Sequence, residues 1–138
     1  MKSSPLRPRT KARKRGPART GASTETGLPE QWSPAGENLA WRVPIGGRSA
    51  PVVFGDHLYL QTSSGEGATL QERVICFNAD TGKQLWEHRY NLFTSDAPPH
   101  RIGWASPAVD PATGNLFAIS ANGLLMSLSR DGKLLWER

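Results

Sequence analysis

Two stretches of this chain are apolar on successive residues: "RVICF" at 73–77 and "LLMSL" at 124–128. A strand that is apolar on both faces is covered on both faces, whereas a sheet with one face in water alternates. Around them lie further short apolar runs, "PVVF", "HLYLQ" and "LFAIS", separated by turn residues. No segment carries a long 3.6-residue period, so the pattern predicts short strands and no helix of consequence.

The turns support this reading. Gly55-Asp56 separates "PVVF" from "HLYLQ", and Asn122-Gly123 separates "LFAIS" from "LLMSL"; both pairs suit hairpins because their residues tolerate positive φ. Thr81-Gly82 and Asp131-Gly132 each precede a run ending in Trp-Glu. The loop "DPATGN" at 110–115 stands where the first unit has the shorter "FGDH" turn.

The pattern repeats. "SAPVVFGDHLYLQTSS…RVICFNADTGKQLWEH" and "SPAVDPATGNLFAISANGLLMSLSRDGKLLWER" run through the same four strands, turn at Gly-Lys and close on Trp-Glu. Tryptophans recur at 41, 86 and 136, and four-stranded propeller blades repeat every ~40–50 residues. The expected fold is all-β: an incomplete β-propeller of two four-stranded antiparallel blades, at 49–90 and 104–138, with a leading strand at 38–44. Residues 1–36 are expected as a disordered basic tail and an extended lead-in. Two blades and a stray strand cannot close a ring. The sequence therefore predicts the N-terminal part of a larger protein, or a chain that self-associates through its open blade faces.

Charge changes the picture at one end only. Residues 1–20 hold eight basic residues and no acidic one, leaving nine basic against twelve acidic in the rest. No aromatic residue interleaves the basic run as a nucleic-acid stacking platform would need, so it reads as a solvated tail. Cys76, the only cysteine, excludes an internal disulfide and reads as a small buried hydrophobe. No apolar run is long enough for a transmembrane helix, and no hydrophobic stretch follows the basic start as a secretory signal requires.

Candidate chemistry is sparse. His57, His88 and His100 have no metal-ligand spacing and read as surface or loop residues. Gly65-Glu66-Gly67 lacks the third glycine of a dinucleotide fingerprint, and "GGRS" at 46–49 lacks the ending of a phosphate loop. Binding is expected instead on surface loops. These are the insert 63–71, with Ser64 and Glu66, and the connector 91–103, with Asp96, His100 and Arg101.

"NADTGKQLWE" (78–87) and "SRDGKLLWE" (129–137) resemble the tryptophan-docking repeat of PQQ-like β-propellers, a family that spans quinoprotein alcohol dehydrogenases and the non-enzymatic assembly protein BamB. "RGPARTGASTETGLPEQWSPAGENLAWRVPIGGRSAPVVFGDHLYL" (15–60) and "GWASPAVDPATGNLFA" (103–118) are similar to an envelope subgroup with this repeat. The resemblance implies that Trp41, Trp86 and Trp136 dock on neighbouring blades, each over the turn glycine of the next unit, with Gly82 and Gly132 in that role. It implies a periplasmic or envelope location and a protein-binding scaffold without catalysis. The quinoprotein enzymes carry adjacent cysteines and a calcium site, and this chain has no such cysteine pair. PQQ and calcium are expected only under the alternative, a dehydrogenase whose site lies in further blades.

Overall fold

The computed structural model describes residues 22, 26–92 and 101–138. The basic tail, Asp96 and His100 lie outside them. The first sheet is a meander of β1 (Val52–Phe54), β2 (His57–Ser64), β3 (Gln71–Asn78) and β4 (Gln84–Asn91). The second repeats it with β5 (Ala108–Val109), β6 (Leu116–Ile119), β7 (Leu125–Leu128) and β8 (Leu134–Glu137). All neighbours within each sheet are antiparallel.

The repeat extends to its irregularities. The β3–β4 ladder shifts register between Cys76 and Phe77, and the β7–β8 ladder shifts between Ser127 and Leu128. A bulge adds local twist and re-aims the side chains beyond it. Here it leaves Trp86 opposite Cys76 and Trp136 opposite Ser127.

The main core lies between the sheets. Tyr59, Val74, Cys76 and Tyr90 of the first meet Leu116, Ala118, Met126 and Leu128 of the second. Each large apolar side chain fully buried there stabilises the fold by about 1.5–3 kcal/mol. The consecutive apolar pattern of "RVICF" follows from covering on both sides. Val74 and Cys76 face the second sheet, while buried Ile75 and Phe77 face the other way, where Trp41 lies 6.5 Å from Phe77 between ring centroids.

Three expectations need correction. Residues 38–44 make no strand ladder. Trp41, Val43 and Ile45 do alternate with exposed Arg42 and Pro44, but a fourth strand needs a third to bond to, and no described residue supplies one. The Asn122-Gly123 hairpin puts only Gly123 at positive φ. The Gly123 amide donates to the Ser120 carbonyl and the Ser120 amide to that of Leu124, so the loop has three residues rather than two. The insert between β2 and β3 is shorter than the sequence suggests, because Ser63, Ser64 and Gln71 pair within the ladder and a 3-10 turn, Gly67–Thr69, fills the rest.

Candidate functional site

Two turn glycines sit beneath two indoles. Gly82 has φ 70° and Gly132 φ 82°, conformations that favour glycine. A Cβ on Gly82 would stand 2.6 Å from Trp41 Cδ2, and one on Gly132 would stand 2.5 Å from Trp86 Cδ2. Each position thus excludes a side chain twice, by backbone angle and by the ring above it. The indole N–H closes each contact. Trp41 Nε1 donates to the Ala79 carbonyl at 3.0 Å, and Trp86 Nε1 to the Arg130 carbonyl at 2.8 Å. The turns beneath are braced locally. Asn78 Oδ1 accepts from the amides of Asp80 and Thr81, and Ser129 Oγ accepts from the Lys133 amide. Trp136 differs: it is 41% exposed, touches Phe117 of its own sheet at 6.0 Å, and lies over no turn glycine among the described residues.

Buried polar groups that the sequence reading passed over also cross between the sheets. Glu72 is fully buried on the face shared by Val74 and Cys76. Its Oε1 accepts from the Gly103 amide at 2.6 Å and its Oε2 from the Ala121 amide at 2.9 Å. Gln61 Nε2 donates to the Ile119 carbonyl at 2.8 Å and to the Tyr90 hydroxyl at 3.0 Å. Burial pushes the Tyr90 hydroxyl pKa well up, and the neighbouring Glu72 carboxylate adds to it. The signal was present in the sequence: an acid two residues before Val74 shares its face.

At the other end of the sheets, Arg130 beside the Trp86 contact reaches back to Asp56. His57 joins them, its Nδ1 2.7 Å from Asp56 Oδ1 and 3.2 Å from Arg130 Nη2. The hydrogen bond with His57 leads the causes holding the Asp56 carboxyl below its ordinary value. His57 and His88 therefore stand half-buried in strands, not in loops as the sequence suggested, because β2 and β4 each turn one face to the core. Burial lowers the His88 pKa, opposed by Glu137. The Cys76 thiol is buried and pushed up to about 12, chiefly by desolvation, which leaves it protonated and unreactive at neutral pH.

Of the residues expected to bind a partner, Ser64 ends β2 opposite Gln71, and Glu66 opens the 3-10 turn, exposed, with its carbonyl accepting from Thr69 Oγ1 at 2.8 Å. Arg101 is exposed at the start of the second described stretch. Two clefts open at this end. One, of about 310 Å³, is lined by Gly46, Gly47, Arg48, Thr62, Ser63 and Ile102. The other, of about 480 Å³, is lined by Ala68, Thr69, Leu70, Gln71, Asn91 and Leu92. Among the described residues no group of His, Cys, Asp and Glu could hold a metal ion, and no helix is long and apolar enough to cross a membrane.

No curated protein matches the chain. The sequence pattern of one family does: outer membrane protein assembly factor BamB, over residues 22–138. That span takes in both four-stranded sheets and both indole-over-glycine contacts, and the chain belongs to this family of PQQ-like repeat proteins.

Proposed function

We propose that this chain is a non-catalytic binding scaffold of the cell envelope, which holds rigid blades together and offers loops to a protein partner. One observation carries the reading. The distinctive residues of the repeat are spent on structural joints: Trp41 seats the lead-in on Gly82, and Trp86 joins the first blade to the second at Gly132. The most prominent buried polar side chains, Glu72 and Gln61, are spent the same way. What is left for recognition is the loop end, with its exposed Glu66 and Arg101 and its two clefts. The match to an outer membrane assembly factor family favours a protein partner and an envelope location. In this role the chain needs no quinone, calcium or nucleic acid.

The test is site-directed photocrosslinking in the source cell, with the crosslinker at Ser64, Glu66 or Arg101 and a control at Lys133 in the opposite turn. The expected result is a discrete protein adduct from the loop positions in the envelope fraction and none from Lys133. Quinone absorbance and dye reduction after addition of PQQ and calcium would overturn the reading in favour of a dehydrogenase.

A further inference from the structure

The first sheet runs past the part of the pattern that repeats. Cys76 and Ser127 stand opposite Trp86 and Trp136, so Val74 matches Leu125, the first residue of β7. Leu124 before it belongs to the loop, its carbonyl accepting from the Ser120 amide. β3 instead pairs on through Arg73, Glu72 and Gln71, against Arg89, Tyr90 and Asn91 of β4. One face of this overhang serves the joint, since Glu72 bonds to Gly103 and Ala121, and Tyr90 lies in the shared core. The other face carries Gln71, Arg73, Arg89 and Asn91.

That face is unbalanced in charge. Arg73 and Arg89 stand directly opposite each other in the ladder, and like charges so placed destabilise a sheet. Both turn to one carboxylate: Arg73 Nη1 lies 3.4 Å from Glu87 Oε2, and Arg89 Nε donates to Glu87 Oε1. Among the described residues no second acid pairs with either, and Arg73 Nε is buried without a hydrogen-bond partner. Arg89 is the outer of the two, with its side chain 53% exposed.

Beside the pair the sheet is open. β4 is an edge strand that pairs, among the described strands, with β3 alone. It is eight residues long and holds neither the proline nor the lysine that commonly blunts an edge. Such a strand turns unpaired N–H and C=O groups outward. The cleft of about 480 Å³ opens at its Asn91 end, where Gln71 Nε2 donates to Asn91 Oδ1 at 2.7 Å.

We propose that β4 takes up an extended segment of a protein partner as a further strand, with an acidic side chain opposite Arg89. Backbone pairing along the edge supplies affinity and the carboxylate supplies specificity. Facing Arg89 from the side away from Arg73, the carboxylate offsets the surplus positive charge. The side chain two positions along falls opposite Asn91, at the mouth of the cleft. The inference rests on the binding reading above and names the chemistry of its partner.

The probe is a capped, dye-labelled peptide containing Thr-Val-Glu-Val-Thr, titrated into the full chain and followed by fluorescence anisotropy. Its Gln counterpart and a fully N-methylated copy run alongside. Saturable binding of the Glu peptide is expected, with the Gln peptide about tenfold weaker, the order of one charge-assisted hydrogen bond. Arg89→Gln should erase that difference and leave the weaker binding in place, because the backbone pairing remains. Its thermal midpoint should hold, since an exposed ion pair contributes little to folding. The N-methylated copy cannot donate to a ladder and should not bind. Amide exchange should slow in β4 when the Glu peptide is bound, with β1 unaffected.

Equal binding of the Glu and Gln peptides, an Arg89→Gln variant that still tells them apart, or no binding at all would overturn the proposal. Binding of the N-methylated copy would overturn the added strand. Binding that appears only in Asp96→Asn would show the chain's own acid in the seat. Sedimentation in which Arg89→Gln lowers the mass would assign the edge to a second copy instead. The crosslinking experiment keeps the two readings apart. Loop adducts that persist in Arg89→Gln, with no peptide bound, sink the strand seat and leave the scaffold standing. Arg89-dependent peptide binding without any adduct does the reverse.

Discussion

Trp86 and Trp136 stand at the same place in the two sheets, each opposite the bulged position of its neighbouring strand. Trp86 lies on Gly132, donates its N–H to Arg130, and packs 5.8 Å from Tyr59. Trp136 has Phe117 beside it and stays 41% exposed. The contrast extends across both faces. Tyr59, Gln61, Val74 and Cys76 of the first sheet are buried against the second, while register places Phe117, Ile119, Leu125 and Ser127 at the corresponding positions of the second sheet. There Ile119 and Leu125 are exposed. The two faces share a strand pattern and differ in their polar cross-ties. The longer β2–β3 hairpin carries Glu72 out to the second sheet, whereas the tight loop at Asn122-Gly123 leaves no strand position for an equivalent acid. A similar blade can thus present two different faces, one specified by hydrogen bonds and one only by shape and apolarity.

The joint between the sheets depends most on Gly132. Alanine there would take a strained backbone angle and drive its Cβ into the Trp86 ring, so Gly132→Ala should cost about 3–5 kcal/mol, close to the loss from Trp86→Ala. Chemical denaturation followed by tryptophan fluorescence measures both. A double variant should lose little more than either single one, because both changes remove one contact. Full additivity would mean that the glycine and the indole act independently.

Glu72→Gln comes next. The amide keeps one acceptor oxygen but turns an NH₂ toward a backbone N–H, so about 1–3 kcal/mol should be lost. The loss should fall on the joint between the sheets rather than within either. Amide exchange at Gly103 and Ala121 should quicken most, with the β2–β3 ladder unaffected. Uniform quickening across both sheets would show that Glu72 serves general stability and not the joint.

The legible part of this molecule was whatever repeats. The strands, their turns, and the pairing of each Trp-Glu run with a Gly-Lys turn all recur in the sequence, so one copy interprets the other. Glu72 and Gln61 do not recur, since their counterparts in the second sheet are a turn residue and Ile119. A polar residue in an apolar strand shows its importance only once the facing backbone is in place. The Arg48 cleft was obscured for the same reason. "GGRS" reads as an ordinary loop until Thr62, Gly103 and Ile102, distant in sequence, close around it.

A change of pH should act more mildly on the first sheet. His88 lies in β4 of the first sheet, and burial lowers its pKa below the ordinary 6.5. Above that value both folded and unfolded chains hold it neutral, and it has no effect. Below it the unfolded chain takes up a proton that the folded chain resists, so stability should decline as pH falls from about 6.5 toward the lowered value. His88→Gln should flatten the decline measured in urea between pH 7 and pH 5. A slope unchanged by the substitution would place the titration elsewhere, for example at Asp56, whose lowered carboxyl withdraws stability only at more acidic pH.

The smallest effect on folding should come from Trp136→Ser. The ring leans on Phe117 of its own sheet and is already partly in water, so the loss should stay under about 1 kcal/mol, against several for Trp86→Ala. Its effect should appear instead in association. Ile119, Leu125, Leu134 and Trp136 make the second sheet the more apolar exposed surface, and such surfaces draw partners. A second copy cannot offer Trp136 the seat that Trp86 has, because Gly82 and Gly132 are already covered by Trp41 and Trp86. Any self-association through this face must therefore be apolar contact without docking, weak and dependent on concentration, unless Trp41 swings away. Sedimentation of the full chain should show a concentration-dependent increase in mass that Trp136→Ser reduces and Trp41→Ala leaves in place. If Trp41→Ala strengthens association instead, the uncovered Gly82 has become the seat, and the two faces of this molecule are interchangeable after all.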